Sequence, residues 1–305
     1  MFKGLITALI TPFAGEVIDY TSLKKIINLQ IEAEITSIVV GGSTGEGNSL
    51  NIDEYLELIN QTINICRNKI RIIPTVSSAS THQSVIITKK LSDLPIDALM
   101  CTVPYYTRPS PKGILEHFQN IHDNTNLPIM IYNHPQRTGV DIDDATIVQL
   151  SKLERVLAIK DASDNTTRPL RIKQLLSEHN KEFYMLTANE VQILAHTVNG
   201  GSGCVSVLSN VKPKLCKTLY ECIKTQSNDI ALKIQQNLME LYDALLTEPN
   251  PVGIKYLASL YQLSNIDVRL PLVTASINNQ NKILIAFKKL KNKESNIQNI
   301  LTNQW

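Results

Sequence analysis

The chain has 305 residues, of which 43% are hydrophobic and 19% are charged, and its formal net charge is +2. This near-balance of charges gives no electrostatic reason to expect binding of nucleic acid or of an anionic membrane surface. No stretch is long and apolar enough to span a bilayer, and the apolar segment near the N-terminus is interrupted by Thr7, Thr11 and Pro12. We therefore interpret that segment as a first strand and expect a cytoplasmic protein that has neither a membrane nor a nucleic acid as partner.

Eight short apolar segments predict buried strands, and stretches with helical periodicity lie between them. The predicted strands are Leu5–Leu9, Ser37–Val40, Ile70–Pro74, Ala98–Val103, Pro128–Tyr132, Val156–Lys160, Phe183–Leu186 and Cys204–Leu208. Strands that alternate with helices indicate a parallel sheet, and eight such units within roughly 210 residues favour a closed (β/α)8 TIM barrel. An open, doubly wound sheet is the alternative, although no G-x-G-x-x-G follows the first strand.

The strand pattern stops at about residue 226. Beyond it, Ile230–Leu246, Pro251–Tyr261 and Ile283–Leu290 have the apolar periodicity of helices. The sequence therefore predicts an α/β barrel over residues 1–226, which carries the active site, and a C-terminal helical region over residues 227–305.

The cysteines and histidines form no pattern that is typical of a metal site or a disulfide framework. There are five cysteines, an odd number, and neither C-x-x-C nor H-E-x-x-H occurs. The sequence thus gives no reason to expect a bound metal.

Lys160 directly follows the apolar run Val156–Ile159, at the end of a predicted buried strand. Burial of a lysine favours the neutral amine, which can attack a carbonyl to form a Schiff base. A lysine whose ammonium simply reaches solvent at a strand end is the alternative, and this segment alone favours that alternative. The loops that follow other predicted strands favour the Schiff-base lysine instead.

Polar residues also follow the second, fourth and fifth predicted strands. They comprise the Gly-rich loop Gly41–Gly47, the segment Pro104–Tyr106 and the segment Tyr132–Gly139. The active site of a barrel lies at this end of the strands, where a Gly-rich turn can bind a carboxylate, a phenol can move protons, and an arginine can hold a second carboxylate. Taken singly, each feature could be a tight turn, a packing contact or a surface ion pair. Their placement at one mouth favours Schiff-base chemistry on a keto acid.

A series of ordered motifs resembles the dihydrodipicolinate synthase / N-acetylneuraminate lyase family of class I pyruvate aldolases. The motifs are Gly4-x-x-x-Ala8-x-x-Thr11-Pro12-Phe13, Gly42-Ser43-Thr44-Gly45-Glu46, Pro104-Tyr105-Tyr106-x-Arg108-Pro109, Tyr132-Asn133-x-Pro135-x-Arg137-Thr138-Gly139, Ile159-Lys160-Asp161-Ala162-Ser163, Glu248-Pro249-Asn250-Pro251 and Leu270-Pro271-Leu272. The likeness extends over the chain to about residue 290.

The resemblance implies a role for each residue of the predicted site. Lys160 forms the imine with pyruvate, and Tyr132 shuttles protons above it. Thr44 and Tyr106 complete a hydroxyl relay to solvent, and the backbone amides of Ser43 and Thr44 bind the pyruvate carboxylate. The resemblance implies neither a metal nor an organic cofactor.

Arg137 is expected to bind the carboxylate of a second substrate, L-aspartate 4-semialdehyde, and Val205 is a further expected substrate contact. An arginine at position 137 fits this substrate better than the aldose of the sialic-acid lyases in the family. The implied reaction gives 4-hydroxy-tetrahydrodipicolinate for diaminopimelate and lysine biosynthesis. The resemblance also implies a homotetramer built as a dimer of dimers, with Tyr106 near the tight dimer interface.

Two alternatives remain open at this point: another pyruvate-dependent aldolase of the same family, and a catalytically weak barrel that binds a metabolite. The segment Ala188-Asn189-Glu190, where the family usually has a glycine and two acidic residues, motivates the second. Ala79 and Gln83 stand where lysine-inhibited relatives carry an asparagine and a glutamate. A neutral Gln83 offers no charge-assisted hydrogen bond to an ammonium group, so we expect weak feedback inhibition.

Overall fold

A computed structural model describes residues 1–177 and 181–302 of the chain. Its eight main strands are all parallel and close into a barrel in which each strand pairs with its neighbours along the chain, and the first also pairs with the last. The strands are β1 Gly4–Ala8, β2 Ser37–Val40, β3 Arg71–Val76, β4 Leu99–Thr102, β5 Ile129–Asn133, β6 Val156–Asp161, β7 Tyr184–Thr187 and β8 Gly203–Ser206. The predicted (β/α)8 barrel is confirmed, and each predicted strand overlaps an observed one.

Helices surround the barrel and continue beyond it. They are α1 Tyr20–Glu32, α2 Ile52–Cys66, α3 Thr81–Ser92, α4 Pro111–His122, α5 Pro135–Thr138, α6 Asp144–Ser151, α7 Arg168–Leu175, α8 Ile193–Val198, α9 Pro213–Lys224, α10 Asn228–Leu245, α11 Val252–Leu260 and α12 Ile277–Thr302. None of the helices in the described part of the chain has the length and apolar character needed to cross a membrane.

The sequence predictions lacked the short helix α5, helix α9 and a hairpin near the N-terminus. Helix α9 follows the last barrel strand and buries Cys216, Leu219 and Ile223 on one face. A hairpin pairs Phe13–Ala14 with Val17–Ile18. Its two-residue strands are too short for an alternating pattern to reveal them.

The side chains of the strands form two apolar layers, because successive residues of a strand point to opposite faces. The inner layer fills the barrel and includes Ile6, Val39, Met130 and Tyr132. The outer layer, which includes Ile131 and Ile159, packs beneath the helices. Tyr132 therefore belongs to the inside of the barrel, and the residues on either side of it belong to the outside.

The described part of the C-terminal region packs against the barrel through α10, which contacts α8 and α9. Ile234, Leu238 and Leu241 of α10 are buried, and α12 packs along α10 in turn. This packing brings the loop between α10 and α11 over the carboxyl ends of the strands.

Candidate active site

A cavity of about 690 Å³ opens at the carboxyl ends of the strands. Its polar lining includes five of the seven residues predicted for the site, namely Ser43, Thr44, Tyr132, Lys160 and Arg137. Its wall is completed by residues of the C-terminal region, including Tyr242, Leu245, Glu248, Asn250 and Ile254. The site is thus built jointly by the barrel loops and the C-terminal region.

Lys160 and Tyr132 are neighbours across two adjacent strands. The register of β5 and β6 pairs Tyr132 with Lys160. The Lys160 Nζ lies 4.2 Å from the centroid of the Tyr132 ring, and each residue is 5% exposed. A lysine amine and a phenol are therefore held side by side at the base of an open cavity.

The Tyr132 hydroxyl lies 3.3 Å from Ser43 Oγ, within hydrogen-bond distance. Thr44, which the predicted relay places next in line, instead accepts a hydrogen bond at Oγ1 from Asn250 Nδ2, at 2.9 Å. The sequence assigned only a backbone role to Ser43, whereas the structure brings its hydroxyl to the phenol. Both residues belong to the Gly-rich loop.

Arg137 lies in the short helix α5, which follows β5, and is exposed. Its Nη2 donates a hydrogen bond to the backbone oxygen of Asn250, at 3.2 Å. Asn250 therefore contacts Thr44 with its side chain and Arg137 with its main chain. The motif around residues 248–251 was noticed in the sequence, but nothing local to it pointed to these two partners.

Tyr106 and Val205 are not brought into this cavity. Tyr106 is 90% exposed and has a φ of 71°. Val205 is fully buried in the inner layer of the barrel. The roles given to these two residues stay predictions.

Glu190 and His134 also line the cavity and were not predicted as site residues. The carboxylate of Glu190 accepts hydrogen bonds from the backbone amides of Val207 and Leu208, each at 3.0 Å, and from Ser206 Oγ. Burial raises the pKa of the Glu190 carboxyl, although these hydrogen bonds and the charge of Lys160 oppose the rise. Glu190 thereby fixes the turn that follows β8.

The imidazole of His134 packs edge-on against the Tyr132 ring, with 5.7 Å between the ring centroids. Burial lowers the pKa of His134 to about 4, and the nearby charges of Arg137 and Lys160 add to this effect. The ring is therefore neutral at pH 7 and adds no positive charge beside Lys160.

A buried ion pair anchors the Gly-rich loop to the C-terminal region. Lys255 is fully buried and binds the Glu46 carboxylate through Nζ, and it also donates to the Asp267 carbonyl at 2.8 Å. The backbone amide of Arg269 donates to Glu46 Oε2 at 2.9 Å. Burial lowers the pKa of Lys255 to about 8, and Glu46 opposes that shift.

The sequence matches the model of the dihydrodipicolinate synthetase family over residues 1–290. The chain belongs to this family. It is 44% identical over 285 residues to the 4-hydroxy-tetrahydrodipicolinate synthase of Rickettsia bellii strain RML369-C, and the match covers 93% of this chain and 95% of the relative. The family resemblance seen in the motifs is thereby confirmed.

Solved structures of the family share the whole fold. The 4-hydroxy-tetrahydrodipicolinate synthase of Methylacidiphilum fumariolicum SolV superimposes with a TM-score of 0.94 at 31% identity, over 98% of this chain and 99% of that one. Dihydrodipicolinate synthase from Thermotoga maritima gives a TM-score of 0.92 at 29% identity, over 95% and 99% of the two chains.

Proposed function

We infer that this chain is a lyase that condenses pyruvate with L-aspartate 4-semialdehyde to 4-hydroxy-tetrahydrodipicolinate, in diaminopimelate and lysine biosynthesis. The observation that carries this inference is the pair formed by Lys160 Nζ and the Tyr132 ring, 4.2 Å apart at the base of the cavity. The curated relatives from Rickettsia bellii and Rickettsia felis, which match over 93% and 90% of this chain, carry the name of this synthase.

The chemistry follows from a lysine amine beside a phenol. The Lys160 amine attacks C2 of pyruvate, and the carbinolamine loses water to give an imine. Loss of a proton from C3 gives an enamine, whose carbon attacks the aldehyde of the second substrate. The amino group of that substrate then displaces Lys160 from the imine carbon and closes the ring. Tyr132 supplies and removes protons at the carbinolamine and at the new alkoxide.

The two substrate carboxylates require separate binding groups. We assign the pyruvate carboxylate to the backbone amides of Ser43 and Thr44, because the Gly-rich loop that carries them follows β2 and lies beside the Tyr132 hydroxyl. We assign the second carboxylate to Arg137, whose planar guanidinium can donate two parallel hydrogen bonds. Support for this division comes from Asn250, which lies between Thr44 and Arg137.

The second candidate is another pyruvate-dependent aldolase of the family that takes a different aldehyde, since Ala188 lines the cavity where the family usually has a glycine. A turnover assay with pyruvate and a series of aldehydes separates the two. We expect the semialdehyde that bears a carboxylate to give a much higher kcat/KM than butanal or an aldose. Equal or faster turnover of an uncharged aldehyde would favour the second candidate, and no turnover with any aldehyde would favour a metabolite-binding barrel.

We propose that the protein assembles as a homotetramer, a dimer of dimers, with Tyr106 at the tight interface. The exposure of this large aromatic side chain, 90% in the isolated chain, supports the proposal. Sedimentation velocity would test it, and a Tyr106→Ala variant that remains a tetramer with full activity would contradict the role of this residue.

We also propose a cytoplasmic location. The five cysteines are free and buried, which fits a reducing compartment. Fractionation of cells that express the protein, with a periplasmic marker as control, tests this proposal.

A further inference from the structure

The residues that follow the two reactive side chains lie on the outer face of the barrel and contact each other. Asn133 follows Tyr132 and Asp161 follows Lys160, and the strand register pairs them as it pairs the reactive residues. Asn133 Nδ2 donates a hydrogen bond to Asp161 Oδ1 at 2.8 Å. Asn133 is fully buried, and Asp161 is 6% exposed. The two strands are therefore joined by side chains directly behind the site.

Arg168 completes this connection from the first turn of α7. Its Nη1 donates to Asp161 Oδ2 at 3.1 Å and to Ser163 Oγ at 2.9 Å. Its Nη2 donates to Asp141 Oδ2 at 2.8 Å. Arg168 is 4% exposed, so the guanidinium is held in one orientation by the groups around it.

Arg168 also reaches the end of β5, through Asp141. Asn133 Nδ2 also donates to Asp141 Oδ1 at 2.7 Å, and Arg168 Nε donates to Asp144 Oδ1 at 3.0 Å. One guanidinium thus joins the end of β5, the end of β6 and the start of α6. A buried network of this kind contributes little net stability relative to apolar packing, but it fixes one arrangement of its members.

We propose that Arg168 is a positioning residue for the condensation, acting through Asp161 and Asn133 to fix the spacing of Lys160 and Tyr132. This inference rests on the proposed function. The proton transfers between the imine carbon and the phenol require that spacing to be held within a few tenths of an ångström, because a misplacement of about 1 Å can slow a reaction by ~100-fold. Arg168 contacts neither reactive side chain, so its effect is on their geometry.

Arg171 provides a matched control. It lies one helical turn further along α7 and binds the same Asp144 through Nε, at 2.9 Å, but its side chain is 48% exposed. It has no contact with Asp161 or Asn133 among the hydrogen bonds described for it. Arg171→Met therefore removes an equal charge from the same helix without touching the connection between the strands.

The experiment compares Arg168→Met, Asp161→Asn and Arg171→Met, each shown to be folded by circular dichroism. We expect the first two to lower kcat about 10- to 100-fold, to slow borohydride-trapped adduct formation with pyruvate, and to change the KM for pyruvate much less. Arg171→Met should keep kcat within about two-fold of the wild type, and the double variant Arg168→Met/Asp161→Asn should be no slower than its slower parent.

A purely structural role predicts a different result: a lower Tm with the kcat of the folded enzyme unchanged. That outcome in Asp161→Asn, which keeps the shape of the side chain and leaves Arg168 bound to Asp141 and Asp144, overturns the inference even if Arg168→Met does not fold. If the wild type itself formed no borohydride-trapped adduct with pyruvate, the proposed function would be contradicted instead.

Discussion

Asn250 donates a hydrogen bond from Nδ2 to the Thr44 hydroxyl at 2.9 Å, across 206 positions of the sequence. The main-chain oxygen of the same residue accepts a hydrogen bond from Arg137. The loop of the C-terminal region therefore joins the part of the cavity assigned to pyruvate and the part assigned to the aldehyde. The C-terminal region completes the site and is more than an appendage to the barrel.

Asn250→Ala should lower kcat/KM by up to about 10-fold, the effect of one lost hydrogen bond of roughly 0.5–1.5 kcal/mol. The change should fall on kcat and on the KM for pyruvate, since the contact to Arg137 uses the main chain and persists. Steady-state kinetics with each substrate varied in turn measures this, and an effect confined to the KM for the aldehyde would contradict the assignment.

Arg137→Ala should reduce kcat/KM for the semialdehyde about 10- to 100-fold, because charge-assisted hydrogen bonds contribute roughly 1.5–3 kcal/mol. Adduct formation with pyruvate alone should be unchanged. Arg137→Lys keeps the charge but loses the paired donors, so it should recover only part of the loss. Full recovery of kcat/KM in Arg137→Lys would show that the positive charge alone is recognised.

Tyr132→Phe should slow turnover by roughly 100-fold or more, the contribution expected of a positioned acid and base. The Phe ring preserves the packing against His134, so folding should be little affected. Ser43→Ala, which removes the partner 3.3 Å from the phenol, is the comparison and should have a smaller effect. Turnover of Tyr132→Phe near the wild-type rate would assign the proton transfers to another group.

The buried residue His117 should make the fold sensitive to acid. Burial lowers the pKa of His117 to about 4, below the value of about 6.5 for an unfolded chain. The unfolded chain therefore binds more protons between these values, and the stability present above pH 6.5 is lost as the pH falls toward 4. At pH 5 the expected loss is about 2 kcal/mol from this residue.

Urea unfolding of the wild type and of His117→Gln at pH 7 and pH 5 measures this contribution. The glutamine variant should lose less stability on acidification, and the exposed His82→Gln should behave as the wild type. Equal pH dependence in His117→Gln and the wild type would contradict the prediction.

Feedback inhibition by lysine should be weak, because Ala79 and Gln83 offer no carboxylate to the ammonium group. Gln83→Glu places a carboxylate on α3, and this variant therefore tests whether the missing charge is the cause of the weak inhibition. Initial rates over a range of lysine concentrations test both proteins. Half-maximal inhibition of the wild type by sub-millimolar lysine would refute the expectation.

Local sequence pattern was sufficient for the barrel. Strand β6 contains an apolar run that leads into Lys160, and the observed strand extends one residue beyond the predicted one, to Asp161. Helix α9 was missed although its buried face repeats at helical spacing, and the hairpin at Phe13–Ala14 was missed because its strands are two residues long.

The site was only partly predictable, because several of its contacts depend on tertiary packing. Lys160 and Tyr132 lie near the carboxyl ends of their strands, and Ser43, Thr44 and Arg137 lie in the segments that follow strands. The closure of the barrel brings these five residues together. Asn250 reaches the same cavity through packing of the C-terminal region, and its hydrogen bond to Thr44 has no signature in either segment. Glu190, in contrast, follows the end of β7, so the same strand-end rule points to it. Tyr106 lies outside the cavity of a single chain, so its proposed role depends on a partner subunit.

The proposed reaction depends on an imine between Lys160 and pyruvate. Borohydride reduction in the presence of pyruvate, followed by peptide mass spectrometry, tests it most directly, with Lys160→Arg as the control because arginine keeps the charge but lacks a titratable amine. We expect one reduced adduct, on the peptide that contains Lys160, and none in the variant. A folded wild-type protein without an adduct, or an adduct that persists in Lys160→Arg, would contradict it.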